Sequence, residues 1–515
     1  PFSQQIDRII PFFDYQGQPV YYAVYLHPDG FVILPADDEI APILAFAPAG
    51  TYDPSPDNPL GALVSQDLPA RINAIRNRTK IPAKNQPVLR EKRQKARQLW
   101  DTCQSDAVLP VEALGISGIS DVRVAPLVAS TWGQGNVGSD SCYNYYTPNH
   151  YLSGCVATGM AQLMRYHAYP AAGVGTASFP IYVNDVAQSA SLRGGDGLGG
   201  PYQWADMVLQ PDSSITDVQR QAIGALCYDA GVSISTKYSS GSSSAALYYS
   251  TYSLKDTFYY TNAVYSYYPT VGEDLNEMIN PNLDGQLPVL LGVRRDNGGH
   301  VVVCDGYGYH SSILYHHLNM GWNGSTDNVW YNLPDIDTSS YDYTVVGECV
   351  YNIFTSGTGE ILSGRITSSA GFPLLGVTVT ATARRYNQQT TTNENGIYAF
   401  LNVPSETTFT ISAAKTNWTF SNPQSAATTT SQDWSSASGN GWGIDFTGSP
   451  TNISSEDFDL SGYVDVDDLA ILAAAWLAQP NDDNWNPACD ISSPADNINF
   501  LDLAVFVASW LDGSN

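Results

Sequence analysis

A change of texture near residue 357 rules out a single core. Upstream the chain mixes apolar runs with Tyr and Ser. Downstream it becomes Thr-rich, with alternating stretches such as "VTVTATA" (377–383) set between turn residues. Period-two alternation marks half-buried strands, and Asn395-Gly396 is a tight-turn pair. Residues 357–450 therefore read as a β-sandwich. A second break follows. "DVDDLAILAAAWL" (465–477) recurs as "NFLDLAVFVASWL" (499–511), offset by 34 residues. Each copy reads as a short amphipathic helix preceded by an Asp-rich loop. At 515 residues three or four domains are expected.

Charge is spread unevenly. The formal net charge is −27, which argues against nucleic acid as a partner. Residues 71–97 nevertheless carry ten basic residues against the single acid Glu91, while residues 451–515 carry twelve acids and no Lys or Arg. No run of 18 apolar residues occurs, so no membrane span is expected. The chain opens at Pro1 rather than Met, which fits a removed leader. Seven cysteines (103, 142, 155, 227, 304, 349, 489) include no C-x-x-C pair, so a zinc ribbon or thioredoxin motif is not indicated. Seven is odd, so at least one thiol is unpaired.

Residues 15–50 read as a small β unit, two apolar strands around Pro28-Asp29-Gly30. Residues 60–100 read as helical and then basic, interrupted by Pro82 and Pro87. That basic stretch is either a solvated helix face and linker or a connector open to proteolysis. Between 116 and 355 one helix stands out, at 155–168. "LPVLLGV" (287–293), "HVVVCDGYG" (300–308) and "SILYHHLNM" (312–320) are strand-like.

The helix opens with "SGCVATGMAQLMRYHAYP". Apolar residues at 156, 160, 163 and 164 keep helical spacing, and Pro170 lies just past the end. Cys155 falls in the first turn, where free N–H groups and the helix dipole favour a thiolate. From these residues alone Cys155 is either a packed core thiol or a nucleophile. A nucleophile needs a base. Of seven histidines, His300 follows Gly298-Gly299 and opens an apolar strand. Placing the hairpin turn around Gly306–Gly308, centred between Tyr309 and His310, sets residue 300 opposite Asn319, whose amide would orient the imidazole. Trp322 would cover that bond. Gln134, in "STWGQGN", offers an oxyanion donor beside the Cys155 backbone N–H.

These segments resemble the streptopain family of papain-fold cysteine peptidases. "GCVATGMAQLMRYHAYP" resembles the family's nucleophile segment, "PLVASTWGQ" its oxyanion-glutamine segment, "GGHVVVCDGYG" its histidine segment and "LYHHLNMGWNG" its orienting-Asn segment, in the same order over roughly residues 120–350. The resemblance implies Cys155 as nucleophile, His300 as general base and acid, Asn319 as orienting residue and Gln134 as oxyanion donor. It also implies Gly299 at a position meeting substrate backbone, and a tendency to accept a hydrophobic residue two positions before the cut. No cofactor is implied for catalysis. One departure stands: the family usually has Trp directly after the Asn, where this chain has Met320 and keeps Trp322. "VYYAVYLHPDGFVILPADDEIAPILAFA" (20–47) resembles the family's inhibitory propeptide, which would make the chain a zymogen with residues 1–115 blocking the cleft; the alternative is a permanent, non-inhibitory scaffold.

The 357–450 segment resembles carboxypeptidase regulatory-like sandwiches. "DFDLSGYVDVDD" (457–468) has EF-hand-like calcium-loop spacing through Asp457, Asp459, Ser461, Tyr463, Asp465 and Asp468, with Asp at the last position. A second loop, Asp490, Ser492, Asp496, Asn499 and Asp502, is one residue longer and contains Pro494. Together they resemble a divergent type I dockerin, implying Ca2+ and a cohesin-like or cell-surface partner. The expected architecture is multidomain: propeptide of α+β class (1–115), α+β papain-like peptidase core (116–356), β-sandwich (357–450) and a small α-helical calcium-loop tail (451–515). The expected activity is a secreted cysteine endopeptidase acting on protein or peptide substrates. The competing reading is a non-catalytic surface adhesin on a degenerate peptidase fold, favoured by Met320 alone.

Overall fold

The computed structural model describes residues 5–14, 17–55, 58–76, 90, 93–100, 119–267, 273–295, 298–310, 312–322, 328–333, 346–451, 454–458, 464–480, 482, 484–492 and 497–511. The chain divides into two compact units. One is Pro1–Glu360 together with Thr430–Asn440; the other is Ile361–Thr429 with Gly441–Asn515. No helix among the described residues is long and apolar enough to cross a membrane.

The first unit is built on an eleven-stranded sheet. Its N-terminal part is Gln5–Phe13, Pro19–His27, Phe31–Pro35 and Ala45–Ala47, and the 28–30 turn lies where the sequence puts it. Ala45–Ala47 then pairs with Asn328–Tyr331, through Phe46 opposite Trp330. The sheet thus runs unbroken from the N-terminal strands into Ile313–Asn319, Gly298–His310, Val289–Arg295, Val346–Phe354 and Asn262–Tyr267. Helix Pro59–Arg76 is joined to this frame by buried Asp67, which receives Arg71 at 2.8 Å and the Tyr331 hydroxyl at 2.7 Å. Most of the basic stretch lies outside the described residues. In its described part, Arg93 and Arg97 both pair with Glu39.

Helix Cys155–His167 crosses one face of the sheet. Val156 through Met164 are all buried, and Leu163 and Met164 are fully so. Burial of such a side chain contributes about 1.5–3 kcal/mol. Gly159 permits close contact: a Cβ there would lie 3.3 Å from Leu290 and 3.4 Å from Val301. Helices Asp217–Ser233 and Tyr248–Asp256 complete this layer.

The hairpin register departs from the sequence expectation. The turn lies between His310 and Ile313, with Ser312 at φ 60°, and Val303 rather than His300 faces Asn319. Gly306 and Gly308 are strand residues. They are glycines because Asp121–Val124 crosses there: a Cβ on Gly308 would sit 2.5 Å from Ile119 Cγ2 and 2.7 Å from the Asp121 carbonyl. The ladder also shifts between Cys304 and Gly306. The intervening Asp305 accepts from the Val128 N–H at 2.8 Å and from His317 Nδ1 at 2.6 Å.

In the second unit two four-stranded sheets pack face to face. One holds Ile397–Val403, Glu360–Ser368, Phe446–Pro450 and Trp418–Phe420. The other holds Tyr386–Thr391, Thr378–Ala383, Thr408–Ala414 and Gln424–Ala427. Alternate residues such as Val377, Val379 and Ala381 are buried between them. The repeats form helices Val466–Ala474 and Phe500–Leu511 around a small separate core of Leu472, Cys489, Ile498 and Phe506.

Because Gly308 has no room for a methyl group, Gly308→Ala should destabilise the first unit by about 1–3 kcal/mol. Urea unfolding would show the midpoint falling, whereas Gly241→Ala, at an exposed position with nothing within 4 Å of its Cβ, should leave that transition in place.

Candidate active site

Gly154 precedes the helix at φ 94°, in the left-handed region, and a Cβ on it would lie 3.3 Å from the Ser243 carbonyl. A glycine is required on both counts. Cys155 follows, half-buried. Burial pushes its thiol up, but the charge and hydrogen bond of His300 and backbone bonds from Val301 and Val156 more than reverse this, and the thiol ends below its ordinary value. The other five described cysteines behave oppositely. Burial raises Cys142 to about 12 and Cys489 to about 11, and pushes Cys227, Cys304 and Cys349 up as well. All six are unpaired; Cys103 lies outside the described residues. Cys155 therefore differs from the core thiols in the property a nucleophile needs.

His300 is held differently from expectation. Its Nε2 donates to the main-chain carbonyl of Met320 at 2.9 Å. A carbonyl only accepts, so Nε2 carries the proton and Nδ1 is left for the thiol. The Asn319 side chain is engaged elsewhere: it donates to the Ser130 carbonyl at 2.7 Å, and its oxygen accepts from Gln162 at 3.1 Å and from the Gly321 N–H at 3.2 Å. The expectation that Asn319 bonds the imidazole directly is corrected here. The three-residue displacement of the register moves Asn319 inward, where it fixes the Asn319–Gly321 turn that presents the Met320 carbonyl. The departure at position 320 concerns a side chain, which is buried; the orienting atom belongs to the backbone. Trp322 is 37% exposed, and its ring meets His300 edge-on at 5.9 Å and 76°. Gly299, next to His300, is exposed at the strand start.

Gln134 is buried, and among the described residues its side-chain amide has no hydrogen-bond partner. Its carbonyl accepts from the Ser153 N–H at 2.9 Å. Ser153 bonds Thr158 at 3.1 Å, and the Thr158 hydroxyl donates to the Gly133 carbonyl at 3.1 Å. The 133–134 segment is thus clasped to the first turn of the helix, leaving the amide of Gln134 uncommitted beside it.

Gln162 was not expected. Its oxygen accepts from the Ser130 hydroxyl at 3.0 Å and the Trp132 N–H at 3.1 Å, and its nitrogen donates to Asn319. One fully buried amide therefore joins the segment leading to Gln134, the nucleophile helix and the turn behind His300. A signal existed: Cys155, Thr158 and Gln162 form a polar stripe along one face of an otherwise apolar helix.

In the tail, Asp459, Ser461, Tyr463 and Asp496 lie outside the described residues. Asp468 accepts from the Phe458 N–H at 2.6 Å and the Asp465 N–H at 2.9 Å. Asp502 accepts from Ile491, Ser492 and Asn499 at 2.8–2.9 Å. The last acid of each loop therefore closes back on the loop start in the same way. Asp457 is buried, and Asp490 and Ser492 stand at the head of the second loop. Among the described residues no group of three or more His, Cys, Asp or Glu is placed to hold a metal. The described candidates are all oxygen donors, the chemistry of a hard cation.

Residues 132–331 match the Peptidase C10 family. Streptopain of Streptococcus pyogenes is 28% identical over 192 residues, which is 35% of this chain and 46% of streptopain. The thiol protease/hemagglutinin PrtT of Porphyromonas gingivalis is 25% identical over 319 residues, 59% of this chain and 33% of PrtT. The chain thus spans less than half the length of these curated relatives. A prointerpain A fragment of Prevotella intermedia aligns at 19% identity and a TM-score of 0.48, covering 68% of this chain and 99% of the fragment.

Replacing Gln162 by Leu would leave the buried Ser130 hydroxyl and Trp132 N–H without their acceptor and remove one of the two donors to the Asn319 oxygen. A stability loss of about 2–4 kcal/mol is expected, with weaker activity than the stability loss alone explains. Chemical denaturation beside a kinetic assay under folded conditions checks this; an unchanged midpoint would contradict it.

Proposed function

We propose that this chain, whose residues 132–331 form a streptopain-like cysteine peptidase region of the C10 family, is the precursor of a secreted cysteine endopeptidase. The observation that carries the reading is the contact of Cys155 with His300, which lowers one thiol while burial raises the other five described. The Cys155 thiolate attacks the substrate carbonyl. The oxyanion is met by the Cys155 backbone N–H and the Gln134 amide. His300, steadied through Nε2 by the Met320 carbonyl, delivers its Nδ1 proton to the leaving amine and then takes one from the water that hydrolyses the acyl-enzyme. Asn319 and Gln162 act as positioning residues. Gly299 and Trp322 border the cleft where the substrate backbone would lie.

Residues 1–115 are assigned as an inhibitory propeptide and 116–356 as the papain-like domain. Residues 357–450 are assigned as the carboxypeptidase regulatory-like sandwich and 451–515 as the dockerin-like tail. The sharing of one sheet between the N-terminal strands and the peptidase region supports a propeptide that folds with its enzyme. The matching closures of Asp468 and Asp502 support two related loops, in which Asp457, Asp459, Ser461, Tyr463, Asp465 and Asp468, and more weakly the second set, would hold Ca2+. The ion would supply loop order to the tail, not chemistry, and a cohesin-like or cell-surface partner would read the tail.

Under reducing conditions the purified chain should shorten itself to about residue 115, and an epoxysuccinyl inhibitor should then add its mass to Cys155. Cys155→Ser should stop both, and Gln134→Ala should lower turnover by about 10²–10³-fold. Absence of labelling in folded, cleaved protein would support the adhesin instead. For the tail, Ca2+ should raise its unfolding temperature by an amount equivalent to roughly 2.7 kcal/mol at a hundredfold excess over Kd. A chelator should reverse that, and Asp457→Ala should abolish the first-loop contribution. Calorimetry showing no shift would remove calcium from the account.

A further inference from the structure

Four adjacent strands place Val301, Gly292, Glu348 and Tyr267 directly opposite one another in a row. Directly opposite residues share a face, and this is the face on which the Cys155 helix packs, since Gly159 lies against Val301 and Leu290. Cys155 hydrogen-bonds to the backbone at Val301. With strands about 4.8 Å apart, Glu348 stands roughly 10 Å along the row from Val301. The intervening residue has no side chain. A Cβ on Gly292 would meet the Glu348 Cβ at 2.9 Å, its Oε2 at 3.0 Å and Leu247 Cδ2 at 3.4 Å. Val301, Gly292 and Leu247 are buried, so Glu348 packs over Gly292 against Leu247, two strands from Val301 on the same face of the sheet.

Beyond Glu348 the row is aromatic. Tyr265 donates its hydroxyl to Glu348 Oε1. Trp434, 52% exposed, packs on Tyr265 at 4.7 Å, Tyr248 at 5.3 Å and Tyr267 at 6.0 Å. It comes from Thr430–Asn440, the segment that leaves the sandwich and folds with the first unit. Its placement is firm: the Trp434 N–H donates to the Tyr265 carbonyl at 2.7 Å, the Tyr265 N–H to Asp433 at 2.8 Å, and the Ser266 hydroxyl to the Ser435 carbonyl at 2.7 Å. Asp433 also faces Lys255 at 3.7 Å. Glu348 itself is half-buried.

A half-buried carboxylate ringed by exposed aromatic faces suits a long cationic side chain, whose stem lies on the rings and whose head meets the acid. We infer that Glu348, Trp434 and Tyr267 form a substrate subsite that accepts a Lys or Arg side chain near the scissile bond. This rests on the peptidase reading of the Cys155–His300 site. Glu348 and Trp434 both lie outside the matched residues 132–331. The subsite departs from the hydrophobic acceptance that the family resemblance implies.

The test uses the full chain carrying Cys155→Ala, before and after limited trypsin treatment. Peptide pairs that differ only in Arg against norleucine at one position are titrated by calorimetry. At one position the Arg peptide should bind about tenfold more tightly, as expected for a partly exposed ion pair supported by cation–π contact. Glu348→Gln, which keeps an acceptor for the Tyr265 hydroxyl, should erase that preference, and exposed Trp434→Ala should weaken it. Norleucine binding at least as tightly at every position, an Arg preference that survives Glu348→Gln, or no binding of any peptide would overturn the subsite. Hydrolysis of the same peptides by the chain with Cys155 intact reads the peptidase assignment separately, so either can fail while the other stands.

Discussion

The site depends on one meeting: the sulfur at the tip of helix Cys155–His167 and the imidazole at the mouth of strand Gly298–His310. Burial opposes an ionised thiol, and five buried cysteines elsewhere in the chain show that cost unrelieved. At Cys155 the neighbouring imidazole and two backbone bonds overcome it. Such an arrangement survives only if helix and strand cannot slide. Gly159 lets them touch, Gly154 lets the chain enter the helix in a left-handed turn, and Gln162 ties both to the loop behind them.

The large sheet does more than carry the histidine. It makes the N-terminal strands and the peptidase region a single hydrogen-bonded object, which is a physical route by which one could govern the other. At its opposite edge, strand Asn262–Tyr267 would expose unpaired backbone groups, a liability in any sheet. Residues 433–435 cover part of that edge. The same covering lays the Trp434 ring on Tyr265 and Tyr267, so edge protection and the proposed subsite have a common cause.

Much was legible beforehand because it rests on local pattern. The helix at Cys155, the strands around 289–319, the two-strand N-terminal turn, the alternating sandwich strands and the 34-residue repeat all appear as read. What failed was pairing at a distance. Gly306 and Gly308 carry the composition of a turn, yet they are strand residues thinned for a crossing segment. That error displaced Asn319 onto His300, when the partner is the Met320 carbonyl. Backbone atoms have no letter of their own, so no residue type announces such a bond. Gln162 was missed for a related reason: a buried amide on an apolar helix is visible, but its three partners are not. Trp434 lies 112 residues beyond Trp322 in another sequence texture, and only the fold returns it to the first unit.

The most direct test of the central contact is the pH dependence of Cys155 alkylation in the full chain, followed by mass spectrometry, beside the same measurement on His300→Ala. The account predicts that Cys155 reacts at a pH where an ordinary cysteine is still protonated, and that removing the imidazole moves its profile upward toward the buried thiols. Identical profiles in the two proteins, or a Cys155 as inert as Cys227, would contradict it.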